Sequence, residues 1–349
     1  MPTASLRGSL PPINLYSDTQ TRPTEGMRAA IAAAEVGDEQ RGRDPTTSTL
    51  QDRVAELLGH EAAVFLPSGT MCNEIALRVH VRPGGDEIIL DRTAHPVNSE
   101  AGGPAHLSGA MVRTLDGEHG RFTPEQLAAA IRPPGNRHAP RSRVVSVEQT
   151  TNLGGGRVWP LEQVRAVLEV ARTNGLRTHL DGARLMNAVV ASGRRASDYA
   201  GGFDTAWLDF SKGLGAPIGA VLAGSGELID EAWRFKQMLG GALRQSGMMA
   251  AGCLYALDHH VDRLAEDHEH ARLLASGLAE IPAVTIDPGA VETNIVLFEV
   301  PDARALVERL ADRVELQAVD AHRVRAVTHL DISAADIDRA LTALSAALG

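Results

Sequence analysis

The sequence predicts an α/β fold, with a mostly parallel central sheet covered by helices, plus a small C-terminal α+β domain. Three observations predict it. From about residue 24 to 245, short apolar runs alternate with punctuated helical segments. The runs are continuously apolar, as strands buried on both faces are. After Gly226 the pattern changes to long helices followed by further strands.

In chain order, "AAVFL" (62 to 66) reads as a strand and "PSGTMCNEIALRVH" as a small-residue turn opening a helix. "EIIL" (87 to 90) is the next strand. In "TPEQLAAAIR", Thr123 is a helix N-cap and Pro124 the first helical position. "RVVSVE" (143 to 148) is a strand, and "WPLEQVRAVLEVARTNG" a helix starting at Pro160 and stopping at Gly175. The strands "RTHLD" (177 to 181), "TAWLDF" (205 to 210) and "GAVLAG" (219 to 224) come next. "ELIDEAWRFKQ" and "MMAAGCLYALDHHVDRLAEDHEHARLLASGLAEI" read as long helices. "TNIVLFEV", "VELQAV" and "RVRAVTHL" read as an antiparallel sheet, carrying "DARALVERLADR" and a last helix "SAADIDRALTALSAAL". The expected domains are an N-terminal arm (1–15), a large α/β domain (16–245) and a small α+β domain (246–349). "PPGNRHAPRSR" (133 to 143) is a surface loop and "NLGGGRVW" (152 to 159) a flexible one.

Lys and Arg total 34 against 44 Asp and Glu, and the formal charge of -10 argues against a nucleic-acid or anionic-membrane partner. A small molecule is the expected partner. No apolar run approaches the roughly 20 residues of a membrane helix, and "MPTASLRGSLPPINL" lacks a signal-peptide core, so a cytoplasmic location is expected. Cys72 and Cys253 are read as reduced thiols. His259, His260, His268 and His270 lack the spacing of a helical ligand pair, so no metal is expected.

Ligands of open α/β sheets sit beyond the carboxyl ends of the strands, and three endings are informative. After "AAVFL", the amides of Gly69, Thr70 and Met71 with the Ser68 or Thr70 hydroxyl could hold a phosphate at a helix N-terminus. The plainer reading of that stretch is an N-capped turn. "THLDGARLMN" ends its strand at Asp181, with Arg184 opening a helix; alone, helix capping would suffice. "LDFSKGLGAPIGAVLAG" sets Lys212 between a strand and a Gly-rich turn, where a solvated lysine is the plain reading and a Schiff-base nucleophile the chemical one. Together the three endings have the layout of a pyridoxal-phosphate enzyme, with Asp181 on the ring nitrogen and Lys212 bonding the cofactor aldehyde.

The stretches "YSDTQTRPTEGMRAAI", "FLPSGTMCNEIAL", "AHPVNSEAGGPAHLSG", "HLDGARLMNAVVASG", "SKGLGAPIGAVLAG", "MLGGALRQSGMMAAGCLYAL" and "VRAVTHLDIS" resemble the low-specificity L-threonine aldolases of the β-eliminating lyase group, in matching order over roughly residues 14 to 335. The resemblance implies the PLP-dependent transferase (aspartate aminotransferase-like) fold of fold-type I, and a homotetramer, a dimer of dimers with shared active sites. It implies cleavage of an L-3-hydroxy amino acid to glycine and an aldehyde, with pyridoxal 5'-phosphate as cofactor. It gives Ser68, Gly69 and Thr70 to the phosphate, helped by Arg244 from a neighbouring subunit. His95 would stack on the ring, Asp181 and Lys212 would take the roles above, and Arg184 would contact cofactor and substrate. The substrate carboxylate would meet Ser17, Arg184 and Arg325. Arg323 shares a strand face with Arg325, so that choice rests on the motif.

The side-chain end departs from the family pattern. Arg41 in "VGDEQRG" stands where tyrosine is usual, and Thr151 in "EQTTN" where histidine is usual. Both are kept as substrate-contact candidates, Arg41 against the plainer reading of a solvated charged loop. A threonine hydroxyl is no base near neutral pH, leaving His95, water or another group to take the β-hydroxyl proton. Val97 and Ser99 make the segment before "EAGG" less aromatic, and "RFKQM" places Gln237 at a usual lysine position with Lys236 before it. The expected activity is that of an aldolase, for threonine, allo-threonine or a bulkier or anionic analogue. The alternatives are a β-eliminating lyase on the same scaffold and a non-catalytic binding protein. "THLD" recurs at Thr328 to Asp331, where Asp331 is expected to start or cap the last helix.

Overall fold

The computed structural model of the protein describes residues 13–349, and most of the expected 1–15 arm lies outside the described residues. The chain forms two compact units. One comprises the described residues up to Thr21 together with Glu266–Gly349, the other Arg22–Ala265. The first described element, β1 (Ile13–Asn14), belongs to the smaller unit.

The larger unit opens with α1 (Glu25–Ala32), α2 (Pro45–Leu58), β2 (Ala62–Leu66) and α3 (Gly69–His80). Next come β3 (Asp86–Asp91), the short helices α4 (His95–Asn98) and α5 (Gly103–His106), β4 (Met111–Leu115) and α6 (Pro124–Ala130). Thr123 caps α6 as expected, its hydroxyl taking the Gln126 amide while the Gln126 side chain takes the Thr123 amide. The chain continues through β5 (Arg141–Glu148), α7 (Leu161–Thr173), β6 (Arg177–Asp181), α8 (Leu185–Ser192), α9 (Ala196–Ala200) and β7 (Thr205–Asp209). It ends with β8 (Ala220–Gly224), α10 (Gly226–Met238) and α11 (Gly247–His259).

These strands form one seven-stranded sheet in the order β2-β8-β7-β6-β5-β3-β4. Only β8 runs against its neighbours β2 and β7. The β7–β8 link is too short for a helical crossover, and a short link reverses the chain. Side chains alternate through the sheet. Phe65, Ile89, Val145, Val147, Leu180, Leu208 and Val221 join a core with α2, α7 and α11, while Val64, Leu66, Trp207 and Leu222 pack with residues of α3 and α10. Every strand expected in this unit is present. The sequence reading missed β4, an edge strand whose Met111 and Val112 are exposed, because an edge strand carries polar residues rather than a continuous apolar run.

The expected long helix after residue 247 is broken. The segment between His259 and Leu264 turns the chain from α11 into α12 (Leu264–Ala279), and α11 packs on α1 and α2 in the larger unit.

In the smaller unit, β9 (Ile295–Glu299), α13 (Ala303–Leu310), β10 (Val314–Glu315), β11 (Gln317–Ala318), β12 (Arg323–Val327) and α14 (Ala334–Leu348) come after α12. β12 lies between β11 and β9 in an antiparallel sheet, and β1 pairs in parallel with β10. Ile337, Ala340, Leu344 and Ala347 of α14 are buried at helical spacing against Leu306 and Leu310 of α13. Ser333 caps α14 in a capping box with Asp336, which corrects the expectation that Asp331 caps it. A serine three residues before an acid satisfies two end amides at once, which Asp331 cannot do from outside the first turn.

In the larger unit, the 38–44 segment is strapped to the 242–247 segment. Glu39 is ion-paired with the fully buried Lys236 and accepts the Leu243 amide at 2.7 Å; Asp44 accepts the Gly37 and Gly247 amides at 3.0 Å. Burial lowers the Lys236 pKa against the opposing pull of Glu39. Removing one partner strands a buried charge. Glu39→Ala is therefore expected to cost about 3–5 kcal/mol by urea denaturation, and Glu39→Leu with Lys236→Met together far less.

Candidate active site

β2, β7, β6, β5 and β3 run the same way, so their carboxyl ends line one edge of the sheet. The residues just beyond these ends are therefore neighbours in space. After β2 comes the start of α3, after β3 comes His95, after β5 comes Gln149, β6 ends on Asp181, and Lys212 lies just past β7.

At the start of α3 the Ser68 hydroxyl accepts the Met71 amide at 3.3 Å and its carbonyl the Cys72 amide at 3.2 Å. That leaves the amides of Gly69 and Thr70 pointing off the helix end, where an anion is stabilised. Gly69 is required here: a Cβ on it would lie 2.3 Å from the Trp207 ring. Ser68 and Thr70 are exposed, Gly69 half-buried.

Asp181 is buried; its Oδ1 accepts the Ala183 amide at 3.0 Å and its Oδ2 the Asn73 side-chain amide at 2.8 Å. Lys212 lies with Nζ 2.9 Å from Asp209 Oδ2 and 5.7 Å from the Trp207 ring centre, its side chain mostly covered. Asp209 is itself oriented by the Ser211 amide and hydroxyl. Buried Arg184 opens α8, with Nη1 3.4 Å from Asn152 Oδ1.

The centre of this arrangement is Asn73, which the sequence reading missed. Its Oδ1 accepts from Trp207 Nε1 at 2.7 Å, and indole is only a donor, so the amide nitrogen must face the other way. That nitrogen bridges Asp181 Oδ2 and Glu100 Oε1, at 2.8 and 2.7 Å. His179 Nε2, 3.1 Å from the same Oδ1, must then donate to it, and its Nδ1 accepts from Thr205, whose oxygen accepts in turn from His80. Burial lowers His179 to about 3 and His80 to about 4, keeping both rings neutral in this chain of bonds.

Glu100 Oε1 also receives His95 Nδ1 at 2.7 Å. Burial opposes a proton on His95, but the Glu100 hydrogen bond and the charges of Asp181 and Glu100 outweigh burial and Lys212, and the net shift is upward. Glu148, in register with Asp181, is raised to about 7, by burial first and by the Asp181 charge second. Neither Glu100 nor Glu148 was singled out in the sequence; the only signal was a carboxylate closing a turn or an apolar strand.

The remaining candidates fall elsewhere. Thr151 is buried in its own turn, its hydroxyl accepting the Arg157 amide at 3.2 Å. That turn is packed rather than loose, since a Cβ on Gly154 would come within 2.0 Å of the His119 carbonyl. Arg41 is exposed on the strapped segment, as is Arg244, whose Nη1 is 3.4 Å from Asp38; Val97 and Ser99 are also exposed. Lys236 is engaged by Glu39, and Gln237 is exposed.

In the smaller unit, Ser17 is buried and its hydroxyl accepts from Thr19. Arg325 Nη1 donates to the Tyr16 carbonyl at 3.3 Å and to Gln317 at 3.0 Å. Structure separates the two arginines that the strand period could not: Arg325 is buried, whereas exposed Arg323 pairs with Asp320. Among the described residues no group of histidines, cysteines and acids is arranged to hold a metal.

These residues fit pyridoxal phosphate. The α3 amides would receive a phosphate, the buried Asp181 a protonated ring nitrogen, and Lys212 an aldehyde. Residues 14–301 match the beta-eliminating lyase family model. The chain is 40% identical, over 95% of each chain, to a probable low-specificity L-threonine aldolase 2 of Arabidopsis thaliana. It is 41% identical to the low specificity L-threonine aldolase of Escherichia coli (strain K12), over 92% of this chain and 95% of that one. A solved threonine aldolase of Leishmania major superposes with a TM-score of 0.82 at 18% identity, covering 97% of this chain and 100% of that one.

Asn73→Leu is expected to leave Asp181 and Glu100 each short of a donor, destabilising the fold by about 1–3 kcal/mol and weakening cofactor binding. Thermal denaturation and cofactor titration of the variant against the parent check this.

Proposed function

The chain belongs to the beta-eliminating lyase family and is a pyridoxal-phosphate-dependent lyase, and we propose that it cleaves an L-3-hydroxy amino acid to glycine and an aldehyde. The observation carrying this reading is the placement of Asp181, Lys212 and the His95–Glu100 pair at one edge of the sheet. The names of the relatives, low-specificity L-threonine aldolases, support it.

When bound, pyridoxal phosphate supplies the electron sink for the Cα–Cβ bond that breaks. The residues do the rest. Ser68, Gly69 and Thr70 hold the phosphate, and Asp181 meets the ring nitrogen with a carboxylate fixed by Asn73 and Ala183. Lys212 holds the cofactor aldehyde. Arg184 binds the substrate carboxylate in a forked pair that favours one rotamer about Cα. In the smaller unit, Ser17 and Arg325 keep the carboxylate-binding role that the family motif gives them.

Thr151 offers no base at the position where the family carries histidine, and its hydroxyl is committed to Arg157. His95 is the remaining candidate. With Nδ1–H on Glu100, its Nε2 is the acceptor for the β-hydroxyl proton, and the adjacent carboxylate stabilises the imidazolium that results. Exposed Arg244 is read as a contribution from the neighbouring subunit of a homotetramer, and exposed Arg41 as a substrate contact. Two unpaired, buried thiols accord with a cytoplasmic setting.

A second reading, β-elimination, is favoured by the histidine missing at position 151. A panel of L-threonine, L-allo-threonine and phenylserine separates the two. Glycine with an aldehyde is expected; ammonia with a keto acid would replace the aldolase reading. Lys212→Ala is expected to abolish turnover and the visible absorbance of the bound cofactor, and retention of both would sink the enzyme reading. Arg41→Tyr is expected to move the substrate preference toward threonine, checked as kcat/KM ratios across the same panel.

A further inference from the structure

Behind His95 lies a carboxyl group that none of these roles uses. Glu74 comes directly after Asn73 on α3 and is buried. Its carboxyl rests against the backbone of Gly103, where an added Cβ would come within 1.9 Å of Oε1. Ala101 and Gly102, with φ of 53° and 80°, turn the chain so that a glycine backbone and not a side chain meets the carboxyl.

The hydrogen bonds around this pair are incomplete in one particular way. Glu100 Oε1 receives both Asn73 and His95, whereas Glu100 Oε2 and both oxygens of Glu74 have no donor among the described residues. Two buried, ionised carboxylates cannot supply each other with a donor, but a single proton between them can. The donors of Asn73 and His95 favour the anion on Glu100. The proton therefore belongs on Glu74.

We propose that Glu74 is a positioning residue: as a neutral carboxylic acid it donates to the open edge of Glu100 and locks the carboxylate that orients His95. This rests on the reading of His95 as the group that takes the β-hydroxyl proton. Burial, and after it the Glu100 contact, raises Glu74 to about 9, so the acid form persists through neutral pH. The charges acting on His95 beside this pair are Asp181 at the end of β6 and Lys212 after β7; Glu148 of β5 is acted on in turn by Asp181, His95 and Arg184 of α8, and His106 of α5 is exposed. None of them donates to Glu74.

The test compares Glu74→Gln, which keeps a donor, with Glu74→Leu, which keeps bulk and loses it. In Glu74→Leu, kcat for cleavage is expected to fall at least about tenfold with little change in KM, and in Glu74→Gln to recover most of it. Exchange of the glycine α-proton with deuterium oxide, which needs no β-hydroxyl base, is expected to stay within about twofold in both. Wild-type kcat in Glu74→Leu, or equal losses in cleavage and exchange, would overturn the positioning role.

A second measurement needs no turnover. The folded state holds a proton on Glu74 that the unfolded chain releases near 4.5, so the parent's stability falls as pH rises from about 4.5 to about 9. Relative to Glu74→Gln, the parent is expected to lose stability as pH rises through that window, approaching about tenfold in its folding equilibrium per pH unit only near the middle. A difference independent of pH would show that Glu74 is not the acid, and this comparison holds even where Glu74→Leu fails to fold. His95→Gln distinguishes the underlying reading. If it retains cleavage, His95 is not the base; if it loses cleavage while Glu74→Leu does not, the positioning role alone fails.

Discussion

The site depends on one amide. Asn73 is held by an indole that can only donate, and this decides which end of its side chain faces Asp181 and Glu100. One NH2 group thereby joins the carboxylate that ends β6 to the carboxylate paired with His95. In a buried setting such a bridge matters more than on a surface, because an acceptor left without its donor bears the full cost of desolvation. Trp207 also presses on Gly69, so the same ring sets the start of α3 and the orientation of the bridge.

The fold serves this arrangement by direction. Five strands with a common sense bring the ends of β2, β3, β5, β6 and β7 to one edge, and residues scattered from Ser68 to Lys212 become neighbours there. The antiparallel β8 fills the sheet between β2 and β7 without adding a ligand to that edge. Rigid strand ends place charged groups more accurately than free loops do. The turn at Gly154 packs against the His119 carbonyl, and the Glu39–Lys236 pair ties the 38–44 segment to α10.

Legibility was uneven, for physical reasons. Buried strands declare themselves as apolar runs, and caps such as Thr123 obey local rules, so these elements stood out. β4 did not, because an edge strand is written in mixed residues; the break after His259 did not, because no proline or glycine marks it. Asp181 and Lys212 were legible as polar residues closing apolar strands. Asn73, Glu74 and Glu100 were not: on a helix or in a turn, an amide or acid is the ordinary surface choice. Only its neighbours reveal that it is inside.

From sequence alone came the fold class, the family, the cofactor and the residues whose type and motif are distinctive. The fold class follows from periodicity and local order, and the family from a resemblance in motifs, both of which a chain carries whether or not it is folded. Tertiary structure decided which of two arginines sharing a strand face is buried, since burial depends on the groups that pack against Arg325 and not on the strand period. It also decided that Thr151 is spent within its own turn and that three buried carboxylate oxygens of Glu74 and Glu100 lack a donor among the described residues. Protonation and hydrogen-bond direction are set by the surroundings of a group, and surroundings exist only once distant segments meet.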